Sequence, residues 1–404
     1  MTSQATKQAS EQAVSREELL KRAKEVGELA EKYALQTDED RRLPEEVIQK
    51  MKEANFHLLH RPKQYGGQDL DFETFGDIIR TVAYHSVSAA WATYFVIIHE
   101  TWPSFIPKDA RDKLFNSNEL MADVFAPVGK VENDDDGKGY RVSGTWNFCS
   151  GVLWSDWIAL GAFHTMRDAE QPELSLFIVH KSETEIIDNW DTLGLRGTGS
   201  NAVKLDNVYV DPDYVFPLSR VVEGATAPDG NYEDDYLLFN VPYIAYFLSG
   251  FSQILVGGLK RLVDDFVDKT NSRVRVYNNN SQEKDNSSAQ RTLGEIKMEY
   301  NTLEKIADDY LERMQGYAEK GTRILDEEER EELFAMRGYV AKHAPLIATR
   351  LLTVLGGNAL YREGGSERFV RDLIAVSCHP THLYEDAMVG YGKTIVGQDG
   401  HPMW

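Results

Sequence analysis

Residues 356–387 read GGNALYREGGSERFVRDLIAVSCHPTHLYEDA, and this segment carries the main evidence for the fold. Two Gly pairs precede an Arg-Asp pair at residues 371–372, after which the chain continues into SCHPTH. Pro380 disturbs any helix at this point. Because imidazole titrates near working pH, His379 is the first candidate for handling a proton.

The same segment allows two other interpretations, a metal site and a cysteine nucleophile. His382 comes three residues after the first histidine and is followed by Glu385 and Asp386, so a helix could present a His-His-carboxylate cluster to a metal. Pro380 argues against that helix, and the sequence offers no second pair of ligands. We therefore predict no metal site. The interpretation of Cys378 as a nucleophile is weaker still, because nothing in the sequence shows it to be an exposed thiolate.

Composition limits the class of protein and the partners that this chain can have. With 404 residues and 42% hydrophobic content, the chain can bury a core divided into two or three units. Its 44 Lys plus Arg stand against 65 Asp plus Glu, and the net charge of -21 repels phosphate backbones and anionic membranes. Two cysteines make no disulfide framework, no apolar run reaches membrane-spanning length, and the polar N-terminus lacks a secretory signal. We predict a soluble cytoplasmic protein that binds neither nucleic acid nor membrane.

Hydrophobic spacing divides the chain into three parts after a tail, predicted disordered, over residues 1–15. A helical domain is predicted over residues 16–120, a β-domain over 121–222 and a second helical domain over 223–404. The first shows helical spacing at 19–33, 44–54, 72–82 and 88–99. The second has short β-branched or aromatic runs between Gly-rich turns, at Val124, 140–143, 157–163, 174–179 and 203–210. This middle part is predicted to be antiparallel.

The third part contains long apolar stripes. One is formed by Leu255, Leu259, Leu262, Val263 and Phe266, and the other by Leu293, Ile296, Tyr300, Leu303, Ala307, Tyr310 and Met314. A further helix should begin with Asp326 as N-cap and run toward Leu355, with a kink near Pro345. These features favour a four-helix bundle, and the length of the stripes favours a homo-tetramer. The polar run 277–290 is predicted to be a loop, either solvated or acting as a mobile lid.

Aromatic side chains recur at helical spacing in the first part. Trp91, Phe95, His99 and Trp102 follow one another by four, four and three residues, so a continuous helix would align them on one face. A core stripe explains Phe95 well but explains His99 poorly. The face is therefore a candidate wall for a flat apolar substrate.

Several strings along nearly the whole chain resemble the acyl-CoA dehydrogenase superfamily. They are RLP at residues 42–44, PKQYGG at 62–67, VSGTWNFCSG at 142–151 followed by DW at 156–157, and the GG…ER..RD frame at 356–372. The resemblance implies an α+β fold with an N-terminal helical domain, a middle antiparallel β-domain and a C-terminal four-helix bundle.

Details of these strings are similar to the oxygenase branch, the two-component flavin monooxygenases that include 4-hydroxyphenylacetate hydroxylase oxygenase components and dibenzothiophene monooxygenase. Dehydrogenases carry Tyr-Glu-Gly-Thr after the Arg-Asp pair, and its glutamate removes the substrate α-proton. This chain has no glutamate there, nor in residues 243–267 where some dehydrogenases place an alternative base. The string LGLRGTGSN at 193–201 and the histidine after Arg-Asp also resemble the oxygenases.

This resemblance implies an enzyme that uses reduced FAD or FMN and O2, through a C4a-hydroperoxide, to hydroxylate a small apolar and above all aromatic compound. The sequence has no convincing dinucleotide-binding unit, so a separate NAD(P)H:flavin reductase would supply the reduced flavin. Three alternatives stay open: a flavin-dependent acyl-CoA dehydrogenase, an N- or S-oxygenase of the same fold, and a non-catalytic relative.

The resemblance also implies the site residues. Ser150 and His379 are the predicted catalytic residues, with Ser150 beside the flavin N5. The predicted cofactor-binding residues are Trp146, Phe148, Ser150, Arg196, Thr198, Gly199 and Ser200, and the predicted substrate residues are Trp91, His99 and Phe125. The turn at 197–200 offers N–H groups and hydroxyls suited to flavin carbonyl oxygens or a phosphate. The strand before the Pro-x-Gly turn departs from the hydroxylases, because residues 123–126 read DVFA where those enzymes are rich in serine.

Overall fold

A computed structural model describes residues 14–117, 119–134, 137–165, 171–230, 232–233 and 235–401. Most of the tail predicted over residues 1–15 lies outside these ranges. The described chain has helices at both ends and two small sheets between them, as the resemblance implies.

Six helices form the N-terminal part. They are α1 (Arg16–Lys32), α2 (Ala34–Asp40), α3 (Glu45–Glu53), α4 (Phe72–His85), α5 (Val87–Ile98) and α6 (Lys108–Asn116). Ser86 begins α5, since its side chain accepts a hydrogen bond from the Ala89 N–H. All 12 residues of α5 are buried, so this helix lies between the other layers and not at the surface.

Two four-stranded sheets form the middle part. The strands are β1 (Met121–Val124), β2 (Lys130–Asn133), β3 (Tyr140–Trp146), β4 (Trp157–His164), β5 (Glu173–His180), β6 (Glu185–Ile187), β7 (Ala202–Val210) and β8 (Val215–Pro217). One sheet has the order β1-β4-β5-β8 and the other β2-β3-β7-β6. The prediction of an antiparallel β-domain is confirmed, with one parallel pair, β1 with β4. The two sheets enclose a core of their own that contains Val142, Trp146, Leu160 and Phe177.

The C-terminal part is built on long helices. Its elements are α7 (Ser219–Val222), α8 (Tyr243–Phe247), α9 (Gly250–Ser272), β9 (Val274–Arg275), β10 (Ser281–Gln282), α10 (Ser287–Lys320), α11 (Glu327–Leu355), α12 (Ser366–Ser377) and α13 (Tyr384–Ile395). Asp326 caps α11 as predicted, by accepting from the Glu329 N–H at 2.8 Å. The helix continues through Pro345 to Leu355. The segment predicted as a loop over 277–290 is shorter, because β10 pairs with β9 and α10 begins at Ser287.

The apolar stripes on α9 and α10 are buried within one chain. α9 packs on α4 as well as on α10 and α11, so N-terminal and C-terminal helices share one hydrophobic core. Leu259, Ile296 and Met314 are completely buried in it. The stripes are long because they cover α4 in the same subunit, and their length is therefore no argument for an oligomer.

Asp372 connects the three parts of the fold. Its carboxylate accepts from the Leu195 N–H of the β-domain at 2.7 Å and from Ser88 Oγ of α5 at 3.2 Å. Burial raises the pKa of Asp372 from 3.8 to about 6, although the Leu195 N–H and Arg371 oppose the rise. Asp372, the acidic residue of the Arg-Asp pair, therefore joins α12 to α5 and to the loop before Thr198 by hydrogen bonds.

Ionisation of this buried carboxyl should make the protein less stable. A folded-state pKa above the unfolded value means that the stabilising contribution is complete below about pH 4 and disappears as the pH rises through about 6. We expect wild-type stability to fall relative to Asp372→Asn across this window by up to about 3 kcal/mol. Urea unfolding of both proteins at a series of pH values measures the difference, and parallel pH curves would contradict it.

Candidate active site

Trp91, on α5, lies between the two residues that the sequence predicts to be catalytic. Its indole Nε1–H donates to Ser150 Oγ at 3.0 Å. Its ring also contacts the His379 ring edge-on, with centroids 5.9 Å apart. The structure thus brings together Trp91, Ser150 and His379, which come from three separate parts of the chain.

A chain of hydroxyl groups fixes the hydrogen-bonding capacity of Ser150. Thr198 Oγ1 donates to the Leu195 carbonyl at 2.9 Å, so its only proton is used. Ser200 must therefore donate to Thr198 over 2.8 Å, and Ser150 must donate to Ser200 over 3.0 Å. A hydroxyl has one donor and two acceptor positions, and Trp91 fills one of the acceptor positions, so Ser150 keeps one lone pair without a partner among the described residues. That position can only accept a hydrogen bond.

The turns that carry these hydroxyls contain left-handed backbone. Phe148 has φ 66° and Gly151 has φ 83° on one side, and Leu195 has φ 53° and Gly199 φ 55° on the other. Non-glycine residues rarely adopt positive φ, and such strain is concentrated at functional sites. The strained turn also leaves the Phe148 ring 71% exposed, near Trp190 at a centroid distance of 6.0 Å.

Two predicted cofactor residues lie in other surroundings. Trp146 is completely buried between the sheets, where its Nε1–H donates to the Gly161 carbonyl at 2.8 Å. Arg196 donates to the Asp38 carbonyl at 2.8 Å and to the Asp191 carboxylate at 2.6 Å. These side chains bond to other parts of the protein, so we assign neither residue to the cluster around Ser150.

His379 lies at the start of the turn between α12 and α13. Pro380, Thr381 and His382 form a single 3-10 turn, which confirms that the helix ends before the proline. The Thr381 N–H donates to His379 Nδ1 at 3.4 Å, and Thr381 Oγ1 lies 2.7 Å from the same nitrogen. Nδ1 is therefore an acceptor, which puts the proton of the neutral imidazole on Nε2.

Burial, followed by repulsion from His382 and Arg337, lowers the pKa of His379 well below its usual range. The imidazole is therefore neutral near pH 7. Its ring packs against Phe251 at a centroid distance of 4.7 Å and against His382 at 5.5 Å. His382 has a different environment, because its Nε2–H donates to the Val376 carbonyl at 2.7 Å.

The aromatic wall predicted on α5 forms for three of its four members. Trp91 contacts Phe95 at 5.1 Å, and Phe95 contacts His99 at 4.7 Å, measured between ring centroids. α5 ends at Ile98, and Trp102 belongs to a separate 3-10 turn over Trp102–Phe105. Phe125 joins the wall through Phe247, to which it is stacked at 4.9 Å.

Asp123 is a site candidate that sequence analysis missed. Its Oδ2 lies 3.3 Å from His99 Nε2, and both atoms are buried without another hydrogen-bond partner among the described residues. His99 Nδ1 donates to the Met121 carbonyl at 3.1 Å, so Nε2 is the acceptor of the neutral ring. Burial lowers the pKa of His99 to about 3 and raises the pKa of Asp123 well above its usual range. The sequence signal that could have indicated this site is an acidic residue among the apolar residues Met121, Ala122 and Val124 of a buried strand.

Two open surface pockets lie away from this cluster. One, of about 540 Å³, is lined by Lys113, Trp157 and Tyr214 among others, and another, of about 560 Å³, lies beside Arg196 and Arg371. Neither is lined by Ser150 or His379. The Ser150 cluster remains the candidate site because it combines a hydrogen-bond acceptor, a neutral imidazole and an aromatic wall.

Comparison with known families agrees with the element order. A model described as "Acyl-CoA dehydrogenase, N-terminal domain" matches residues 11–102, and one described as "Acyl-CoA dehydrogenase, C-terminal domain" matches residues 249–383. Together they match more than half of the chain. The chain belongs to the acyl-CoA dehydrogenase family. The predicted fold is thereby confirmed.

Relatives within the acyl-CoA dehydrogenase family are named as hydroxylases. The chain is 26% identical to the pigment production hydroxylase of Rhodococcus sp., over 91% of this chain and 93% of that protein. It is 25% identical to the oxygenase component of p-hydroxyphenylacetate 3-hydroxylase of Acinetobacter baumannii, over 96% and 91%. XiaF of Streptomyces sp., solved with FADH2 and glycerol, shares the fold with a TM-score of 0.87 at 22% identity, over 95% and 96%.

The family implies a flavin, and the hydroxyl chain fits its reduced form. N5 of a reduced isoalloxazine carries a hydrogen, which the free lone pair of Ser150 can accept. N5 of an oxidised isoalloxazine is itself an acceptor and would find no donor on Ser150. A flavin whose N5 lay beside Ser150 would therefore be held better in its reduced form than in its oxidised form.

Proposed function

We propose that this protein is the oxygenase component of a two-component flavin-dependent monooxygenase. It takes reduced FAD or FMN from a separate NAD(P)H:flavin reductase and hydroxylates a small apolar, aromatic compound with O2. The observation that carries the proposal is the free acceptor position of Ser150, set by the hydroxyl chain, together with the neutral imidazole of His379, which contacts the same Trp91 side chain. Relatives named as hydroxylases support the same reaction class.

Each residue of the cluster has a defined part in this proposal. Bound reduced flavin would be the group that reacts with O2. Ser150 would hold the N5 hydrogen, with Trp91 and Ser200 fixing the orientation of its hydroxyl. His379, neutral and protonated on Nε2, would donate to or polarise the reacting oxygen. Phe95, Phe125 and Phe247 would exclude water and pack against the ring of the substrate.

The alternative of an acyl-CoA dehydrogenase requires a carboxylate base at the flavin. The residues after Asp372 contain no glutamate before Glu385, and Glu385 is exposed and pairs with Lys342 at 3.2 Å. The position that follows Arg-Asp instead holds His379, whose pKa burial lowers. A neutral imidazole that donates through Nε2 is suited to oxygen transfer and poorly suited to removing the α-proton of a thioester.

Reduced flavin should bind more tightly than oxidised flavin. The gain of one hydrogen bond at N5 is worth about 0.5–1.5 kcal/mol, which corresponds to roughly 2–10-fold in affinity. Anaerobic equilibrium titrations with reduced and oxidised FAD and FMN measure both dissociation constants. Equal affinities, or reduction of bound flavin by an acyl-CoA, would count against the proposal.

We also propose that four copies of the chain assemble and that the enzyme functions in the cytoplasm. Apolar side chains are exposed on and after α13, at Val389, Ile395 and Val396. Both cysteines are free thiols, which suits a reducing compartment. No helix in the described ranges has the length and apolar character needed to cross a bilayer. Light scattering at micromolar concentration should give the mass of a tetramer, and a stable monomer would contradict this.

A further inference from the structure

Arg337, on α11, is a buried cation close to the His379 turn. The residue is 3% exposed, and no carboxylate in the described ranges lies within 4 Å of its guanidinium. Nη1 donates to the Tyr310 hydroxyl at 2.9 Å, and Nη2 donates to the Thr381 carbonyl at 3.3 Å. Burying a charge without a counter-ion is costly, so this position calls for a specific explanation.

Contacts with aromatic rings offset part of that cost. The guanidinium carbon lies 5.4 Å from the centroid of the Phe334 ring and 5.8 Å from that of Tyr310. Nε has no hydrogen-bond partner among the described residues. The hydrogen bond to Thr381 is thus the contact that directs this charge toward the turn.

Thr381 connects Arg337 to His379, because it contacts both residues. Thr381 lies between the two histidines, and its N–H and hydroxyl both point at His379 Nδ1. A proton on Nδ1 would face the Thr381 N–H, which is a donor, so the turn excludes that proton. The other titratable group that packs against the imidazole is His382 in the same turn, while Tyr310 contacts Arg337. From α5 and α9 the packing residues are Trp91 and Phe251.

We propose that Arg337 is a positioning residue for His379, which fixes the turn 379–382 and helps burial and His382 to keep the imidazole neutral as an Nε2–H donor. The consequence of Arg337 for oxygen transfer rests on the proposed function, whereas the effect of Arg337 on the His379 imidazole does not. The Arg337 cation, held at the Thr381 carbonyl, opposes a second positive charge on His379. A carboxylate paired with this guanidinium would weaken the effect, and none in the described ranges lies within 4 Å of it.

The test is the protonation state of His379 in the full-length protein. Proteins labelled with 15N-histidine would be titrated by NMR, with the His379 signals assigned by their loss in His379→Gln. The wild type should show only the neutral Nε2–H form from pH 6 to pH 8. Arg337→Met should move the midpoint of His379 to higher pH and add the Nδ1–H form, and Arg337→Lys, which keeps the charge, should restore the wild-type midpoint.

Two controls separate positioning from stability. Arg111, in the N-terminal part, is an equally buried arginine that pairs with Asp229. Arg111→Met should lower stability without changing the His379 signals. If Arg337→Met does not fold, Arg337→Gln, which keeps an N–H donor, should still raise the midpoint. An unchanged midpoint and tautomer in folded Arg337→Met or Arg337→Gln overturns the proposal, whatever reaction the enzyme catalyses. So does an equal shift in Arg337→Lys.

Discussion

His379→Asn should reduce the rate of product formation by about 10²–10⁴-fold, which is the usual contribution of one general acid or base. Asparagine retains a donor but cannot exchange a proton with the reacting oxygen. The affinity for reduced flavin should stay near normal, because that affinity depends on Ser150 on the other side of Trp91. Hydrogen peroxide should replace product, so the ratio of peroxide to product per O2 consumed is the measurement.

His382→Asn is the matched control for this substitution. His382 lies in the same turn and is buried, but its Nε2–H is already donated to the Val376 carbonyl. Its replacement should lower stability and leave the peroxide-to-product ratio close to that of the wild type. Equal effects of the two substitutions on the ratio would remove the special role of His379 and return attention to a His-x-x-His metal site.

Ser150→Ala should abolish the preference for reduced flavin and raise the fraction of O2 released as peroxide. The reason is the loss of the acceptor position that Ser150 would offer to the hydrogen on the flavin N5. The variant should also be less stable by about 1–3 kcal/mol, because the buried Trp91 indole N–H loses its acceptor. Anaerobic flavin titration, peroxide yield and urea unfolding measure the three effects.

Ser155→Ala provides the comparison for Ser150→Ala. Ser155 is equally buried in the following turn, where its hydroxyl donates to the Gly151 carbonyl at 2.9 Å. Its replacement should also lower stability but should leave flavin preference and peroxide yield unchanged. If Ser150→Ala changed only stability, as Ser155→Ala is expected to do, the proposed role of the Ser150 hydroxyl would be wrong.

The sequence predicted those elements that bury one regular face. Ile296, Tyr300 and Met314 follow helical spacing and are buried on α10, and the runs at 157–163 and 203–210 are strands of the predicted sheets. The strand β2 was missed because it is largely exposed and shows no alternation of apolar and polar residues. Periodicity detects a buried face, so an exposed strand at the edge of a sheet gives no signal.

The candidate site was predicted only in part, for a different reason. Family resemblance gave Ser150 and His379, and helical spacing gave Trp91. The direction of the hydroxyl chain could not be predicted, because it depends on contacts between residues about fifty positions apart, such as Ser150 and Ser200. Arg337 likewise gave no signal, since an arginine on a charged helix is ordinarily exposed.

The proposed function requires this chain to transfer an oxygen atom from O2 with reduced flavin as the electron donor. The most direct test supplies the protein with enzymatically reduced FAD or FMN under 18O2, together with a panel of phenols, anilines and indoles, and analyses the products by mass spectrometry. We expect a product that contains one 18O atom for each reduced flavin consumed, and none with His379→Asn beyond trace amounts. Products without 18O, together with reduction of bound oxidised flavin by an acyl-CoA in the absence of O2, would contradict it.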